Sequence, residues 1–178
     1  FGEVNFGKAE LGDVRRSRRL AKTADLMCRR PGGSLPQKLN NPKDLKAFYR
    51  LVRRDEVTHK AILAAHREAT QRKIDETRGP VLILHDATEL DYTKHLALED
   101  ELGQIGNGNR RGYIAHNSLA VNPKNRRVLG LYNQLLHHRA NVPDGETIAQ
   151  KRKRESRESL LWLDGTKPLP RSRKLIDV

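Results

Sequence analysis

Arg78-Gly79-Pro80-Val81-Leu82-Ile83-Leu84-His85-Asp86-Ala87-Thr88-Glu89-Leu90 is the stretch on which the reading of the fold turns. Before it, apolar residues recur at helical spacing. Within it, Val81 to Leu84 form a short unbroken apolar run behind a Gly-Pro breaker, the pattern of a fully buried strand. The strand is expected to end at His85-Asp86, and the domain boundary falls at its approach, giving units 1–77 and 78–178. A carboxylate at the end of a central strand is held rigidly at the sheet margin, where it can ligate a hard cation such as magnesium. Two such ions could activate a water and stabilise the leaving oxygen in phosphodiester cleavage. Asp86 is therefore the candidate metal ligand. An Asp that merely caps the turn after a strand would look the same.

Upstream, residues 11–30 read as a helix, capped by Asp13 and stopped by Pro31-Gly32-Gly33. At 100° per residue, Arg15, Arg18, Arg19, Lys22, Arg29 and Arg30 gather in a sector about 120° wide. Val14, Leu20, Ala21, Ala24, Met27 and Cys28 take the opposite side, and Leu26 interrupts the basic sector. That sector holds almost no acid, which a merely solvated helix face does not require. Asn41-Pro42 opens a second helix with Leu45, Phe48, Tyr49 and Val52 as its expected buried set. A third runs from about Thr58 to Glu76 and buries Ile62, Leu63, Ala65 and Ala69. Between the first two lies a polar loop, Ser34 to Asn40, suited to touching phosphates or bases.

Downstream, a glycine-rich stretch, Leu102 to Gly108, is expected to be irregular. It lacks a strand that feeds directly into it and a following helix, so it is not a phosphate-binding loop. Residues 112–121 and 128–136 read as an antiparallel hairpin turned at Asn122-Pro123-Lys124-Asn125. Residues 145–163 read as a helix and 174–178 as a strand, giving the order β, β, β, α, β. His137 and His138 are adjacent and would point to opposite faces of a strand, so they cannot chelate one ion together. The cluster Lys151-Arg152-Lys153-Arg154 suits a DNA backbone or a solvated face equally.

Charge narrows the partner. The chain carries 35 Lys and Arg against 22 Asp and Glu, a formal net +13 with a pI near 10.2. Residues 1–76 hold 18 basic and 10 acidic side chains, so the surplus is heaviest in the helical part. A polyanion is the natural partner, bound with salt-sensitive affinity. RNA is a weaker candidate, because aromatic residues that could stack on bases make up only 4% of the chain. The single Cys28 excludes an internal disulfide and a cysteine-rich zinc site. No apolar run reaches the length of a membrane span or signal-peptide core, so a soluble, intracellular protein is expected. The chain begins at Phe1 and stops at Val178, and is expected to be a piece of a longer protein.

Six short motifs in order resemble the bacterial DDE transposases of the insertion-sequence-four group, the Tn-five-like family. They are Leu11-Gly12-Asp13 with Arg15-Arg16 and Arg19-Leu20; Lys46-Ala47-Phe48-Tyr49-Arg50; and Val81 to Leu90, similar to the family's strand followed by Asp-Thr-Thr-x-Leu. Leu102-Gly103-Gln104-Ile105-Gly106, Gly112 with His116, and Glu158-Ser159 with Trp162 complete the series. Ala87 departs from the family's Thr, and His137-His138-Arg139 stands where tryptophan near an Arg is usual.

The resemblance implies an α/β chain: a small all-α N-terminal DNA-binding domain, then the first part of an RNase H-like mixed-sheet catalytic core. It implies a cut-and-paste transposase that binds terminal inverted repeats and, when full length, cleaves and transfers DNA strands. Magnesium, or manganese in its place, would be held by two Asp and one Glu. Asp86 would be the first of these, and the other two would lie beyond Val178, so this piece alone is expected not to cleave DNA. Asp177 lies inside a strand rather than after one and is not assigned that role. Thr88 and His116 are candidates to line the active site, although His116 also suits a structural role. Arg15, Arg16 and Arg19 are the leading candidates for DNA contact, with Arg29, Lys38, Lys43 and Lys46 behind them. Arginine can read guanine edges, whereas most Lys and Arg contacts go to phosphate. Double-stranded transposon ends are the implied partner, and a homodimer in a synaptic complex is implied by the resemblance alone. The competing reading is a non-catalytic, truncated DNA-binding protein that occupies transposon ends or inhibits a full-length enzyme.

Overall fold

The computed structural model describes residues 1–106, 109–138, 145, 147–153 and 174–178. The chain divides into a helical unit, Phe1–Glu76, and a sheet unit, Thr77–Val178.

The helical unit contains α1 (Gly2–Phe6), α2 (Val14–Arg29), α3 (Leu35–Lys38), α4 (Pro42–Val52) and α5 (His59–Glu76). Gly12 takes a φ of 73°, which lets the chain turn into α2 at a position where a side chain would be strained. Asp13 then caps the helix by accepting from the Arg15 amide at 2.8 Å. The core gathers Ala9, Leu11, Leu20, Leu51 and Ala65, with Phe6, Val57, Ala61 and Ile62 packed against it.

Several sequence expectations change here. The buried side of α2 is centred on Ser17, Leu20, Ala21 and Thr23, while Val14, at the edge of the stripe, and Cys28, in the last turn of the helix, are exposed. On α4 the buried residue is Leu51, and Tyr49 and Val52 face outward. The reason is that α4 meets α2 through Asp44, which turns the Asp44, Phe48 and Leu51 side of the helix inward. Residues 34–40 are not simply a loop. Ser34 and Gln37 form a capping box around the short α3, and Leu39 is buried. The opening α1 had no sequence signal strong enough to be read.

In the sheet unit, β1 (Val81–Asp91), β2 (Gly103–Gln104), β3 (Arg111–Asn122), β4 (Arg127–His137) and β5 (Leu175–Asp177) form one mixed sheet. β3 lies between β1 and β4, both antiparallel to it, and the short β2 pairs with its first residues. β5 runs parallel to β1 on the other side. A 3-10 turn spans Leu96–Glu101, and α6 spans Ile148–Lys153. The continuation of the expected helix to residue 163, with Glu158, Ser159 and Trp162, lies outside the described residues.

β1 does not stop at His85-Asp86. It continues to Asp91 because β3 is long enough to pair with its whole length, from Leu82↔Val121 to Asp91↔Gly112. An antiparallel strand can leave polar residues facing water, so the end of the apolar run is not the end of the strand. Gly112 permits the close approach of the two strands: a Cβ there would collide with the carbonyl oxygen of Leu90.

Candidate nucleic-acid interface and candidate catalytic carboxylate

On α2, the exposed cations Arg15, Arg18, Lys22 and Arg29 fall within a sector about 60° wide at 100° per residue. The helix itself contributes no acid to that sector, but acids reach its edges from elsewhere. Arg15 forms a bidentate pair with its own cap, Asp13, at 2.8 to 3.2 Å. The hydrogen bonds from Arg15 lower the Asp13 carboxyl to about 2. Arg19 and Lys22 converge on Asp44 of α4 at 2.8 and 2.7 Å. The hydrogen bond from Lys22, supported by Arg19, holds that carboxyl below its ordinary range.

Arg16 is different. It lies about 100° beyond that sector, at the flank of the buried face. Its Nη1 donates to the carbonyl of buried Leu11 at 2.8 Å and pairs with Glu56 at 2.7 Å. The guanidinium is thus used inside the helical unit, joining the start of α2 to the segment between α4 and α5. Of the three leading candidates, Arg15 is the most exposed, with 85% of its side chain accessible even though it is paired with Asp13. Arg29, Lys43 and Lys46 are exposed and form no ion pair among the described residues, while Lys38 is half-buried on α3. Arg18, which the sequence places in the basic sector but not among the candidates for DNA contact, is also exposed, and so are Arg50 and Arg53, which the sequence reading did not single out. The spacing of Lys43, Lys46, Arg50 and Arg53 is the signal that could have found the last two.

In the sheet unit, Asp86 sits mid-strand in β1 opposite Asn117 of β3, with its side chain exposed. Residues alternate between sheet faces, so Leu84, Asp86 and Thr88 share one face. On that face the row continues from Asp86 to Asn117 and Gln134, and the Gln134 amide donates to Asn117 Oδ1 at 2.7 Å. Asp86 makes no hydrogen bond or ion pair among the described residues. It caps nothing, which removes the turn-capping explanation.

His116 pairs with Ala87 and therefore lies on the opposite face from Asp86. It is buried at 1% exposure, its Nε2 lies 3.5 Å from Nδ1 of His85, and Ser118 Oγ lies 3.0 Å from the same Nδ1. Burial holds His116 below the ordinary imidazole value; His85 and His137 add to this and Asp86 opposes it. The structure thus places Thr88 beside Asp86 and separates His116 from both. His137 ends β4 opposite Ile114, and the His138 ring packs 6.5 Å from that of Tyr113, consistent with structural roles for both.

Asp86 supplies a hard carboxylate oxygen of the kind magnesium takes. Among the described residues, however, no group of three or more His, Cys, Asp or Glu side chains could hold a metal ion. The described residues therefore offer one ligand and not a complete centre. Among them, too, no helix is long and apolar enough to cross a membrane.

A small helical unit with cation-rich exposed helix faces, joined in sequence to a mixed sheet, has the character of a nucleic-acid-binding module attached to an α/β domain. Residues 1–57 match the family model described as transposase DNA-binding. The match covers α1 to α4 and supports a transposase whose partner is DNA.

Proposed function

We propose that this chain is part of a cut-and-paste DNA transposase in which the helical unit holds transposon ends and the sheet unit contributes Asp86 to a metal-dependent DDE centre. The observation that carries the reading is the transposase DNA-binding match over residues 1–57, on helices whose exposed cations Arg18, Lys43 and Lys46 form no ion pair among the described residues.

The placement of Asp86 supports the catalytic half. Asp is disfavoured in strand interiors. Here its side chain is exposed and makes no hydrogen bond or ion pair among the described residues, which suits a residue kept for chemistry. In the DDE reading Asp86 holds magnesium, or manganese in its place, with two further carboxylates that the described residues do not supply. The metal would activate water and offset charge at the scissile phosphate. Thr88 lines the same face. The RNase H-like core, the insertion-sequence-four subgroup and the pairing of two chains at synapsis belong to this proposal.

The test is selection of short duplexes from a random library by the 178-residue chain at two salt concentrations. Enrichment of one site that persists as salt rises is expected for a protein that reads transposon ends. Uniform binding that vanishes with salt would overturn end recognition and leave only phosphate affinity.

A further inference from the structure

α4 carries four cations, Lys43, Lys46, Arg50 and Arg53, at spacings of three, four and three residues, the last at the C-cap. At 100° per residue they occupy a sector about 80° wide. All four are exposed, and none forms an ion pair among the described residues. The acid of this helix, Asp44, points elsewhere, into Arg19 and Lys22 of α2. We propose that this α4 stripe is a phosphate track that lies along one strand of duplex DNA, and that it carries more of the unit's phosphate contact than the basic sector of α2. The proposal rests on the DNA-binding reading above and assigns its main surface.

Helix stability does not account for the stripe. Lys43–Lys46, Lys46–Arg50 and Arg50–Arg53 are like-charge pairs at i,i+3 or i,i+4, each unfavourable by a few tenths of a kcal/mol. Lys43 also stands in the first turn, where the helix dipole disfavours a cation. A solvated helix would gain from a Glu in this row, and none is there. On α2, by contrast, Arg15, Arg19 and Lys22 are tied to Asp13 and Asp44.

The geometry suits a duplex. Ten residues of α-helix span about 15 Å, the axial rise of roughly four nucleotides on one strand. Tyr49 borders the stripe and is 44% exposed, and a phenol hydroxyl there can donate to a phosphate oxygen.

The experiment compares the salt dependence of duplex binding for the whole chain, for K43Q/K46Q/R50Q, and for K8Q/K60Q/R67Q, which removes equal charge from other parts of the same unit. The α4 variant is expected to flatten the log–log salt slope by about 3, near 0.9 for each lost phosphate contact, and the control by less than 1. Because the α4 change relieves repulsion, its thermal unfolding midpoint is expected to equal or exceed that of the parent. An α4 slope equal to the parent's, or to the control's, overturns the inference and leaves the DNA-binding reading standing. Absence of any salt-dependent duplex binding by the parent overturns both. Binding of the parent to anionic phosphatidylserine vesicles but not to duplex, abolished by the α4 variant, would assign the stripe to a lipid surface instead and overturn it.

Discussion

Replacing Arg16 by methionine keeps most of the stem and removes the guanidinium, which donates to the Leu11 carbonyl at 2.8 Å and pairs with Glu56. Leu11 is only 1% exposed and stands in the core, so its carbonyl loses a charged donor with little water to replace it. An acceptor left in that state costs about 1–2 kcal/mol, which in a unit of this size lowers the unfolding midpoint by about 4–16 °C. Arg18, two residues on, is exposed and contacts no described acid. Arg18→Gln should stay within about 0.5 kcal/mol of the parent. The assay pairs thermal unfolding, followed by helical circular dichroism, with duplex binding across salt. Arg16→Met should lower the midpoint and leave the salt slope unchanged, whereas Arg18→Gln should leave the midpoint and flatten the slope by up to about 0.9. An Arg16→Met protein with an unchanged midpoint and a flatter slope would refute the reasoning and return Arg16 to the DNA surface.

Three further outcomes are expected. Asp86→Asn should change stability by less than about 0.5 kcal/mol in urea unfolding, because the carboxylate is exposed and makes no described bond; a loss above about 1 kcal/mol would mark Asp86 as structural. Gly112→Ala should cost about 1–3 kcal/mol by overpacking, because the colliding atom is the Leu90 backbone oxygen and cannot step aside; a neutral result would show that the β1–β3 register is not as described. Acidification from pH 7.5 to 5.5 should lower stability. Burial depresses His116 in the sheet unit and His66 in the helical unit below the unfolded value near 6.5. Their contribution is complete above that value and is lost as pH falls toward the folded ones. The carboxylates lowered to about 2, Asp13 and Asp91, act in a more acidic window. A urea midpoint that stays flat or rises over this range, in the parent and in His116→Asn alike, would contradict the burial argument.

What could be read from sequence followed local chemistry. Asp13 and Asn41 announce α2 and α4 because a cap needs only its own side chain and an amide two residues on. The change of period after Gly79-Pro80 marks β1, and the turn after Asn122 marks the β3–β4 hairpin, since both are properties of short windows. What could not be read depended on partners distant in sequence. The length of β1 is set by β3, and the inward side of α4 by Arg19 and Lys22, which lie 25 and 22 residues from Asp44. Arg16 looks like its neighbours in sequence and is separated from them by a contact to Glu56, 40 positions away. A basic residue in a charged run can be solvated, structural or DNA-facing, and only the position of the nearest acid or carbonyl distinguishes these.

The same consideration bears on Asp86. From sequence it stood at a strand end, where rigidity and a capping role are hard to separate. In the structure it stands inside β1, fixed by backbone pairing to β3 on one side, while β5 approaches on the other as far as the bond from the His85 amide to the Val178 carbonyl at 3.2 Å. The carboxylate therefore rises from a backbone held by β3 on one side and, up to the preceding residue, by β5 on the other, yet it is exposed and has no ion-pair partner among the described residues. Rigidity without local satisfaction is what a metal ligand requires before its metal arrives. His116, buried one residue pair away on the opposite face, makes the contrast: its position is explained by its contacts to His85. If Asp86→Asn leaves folding and duplex affinity intact, as its lack of described hydrogen bonds and ion pairs requires, any defect it causes in strand cleavage belongs to chemistry rather than to architecture.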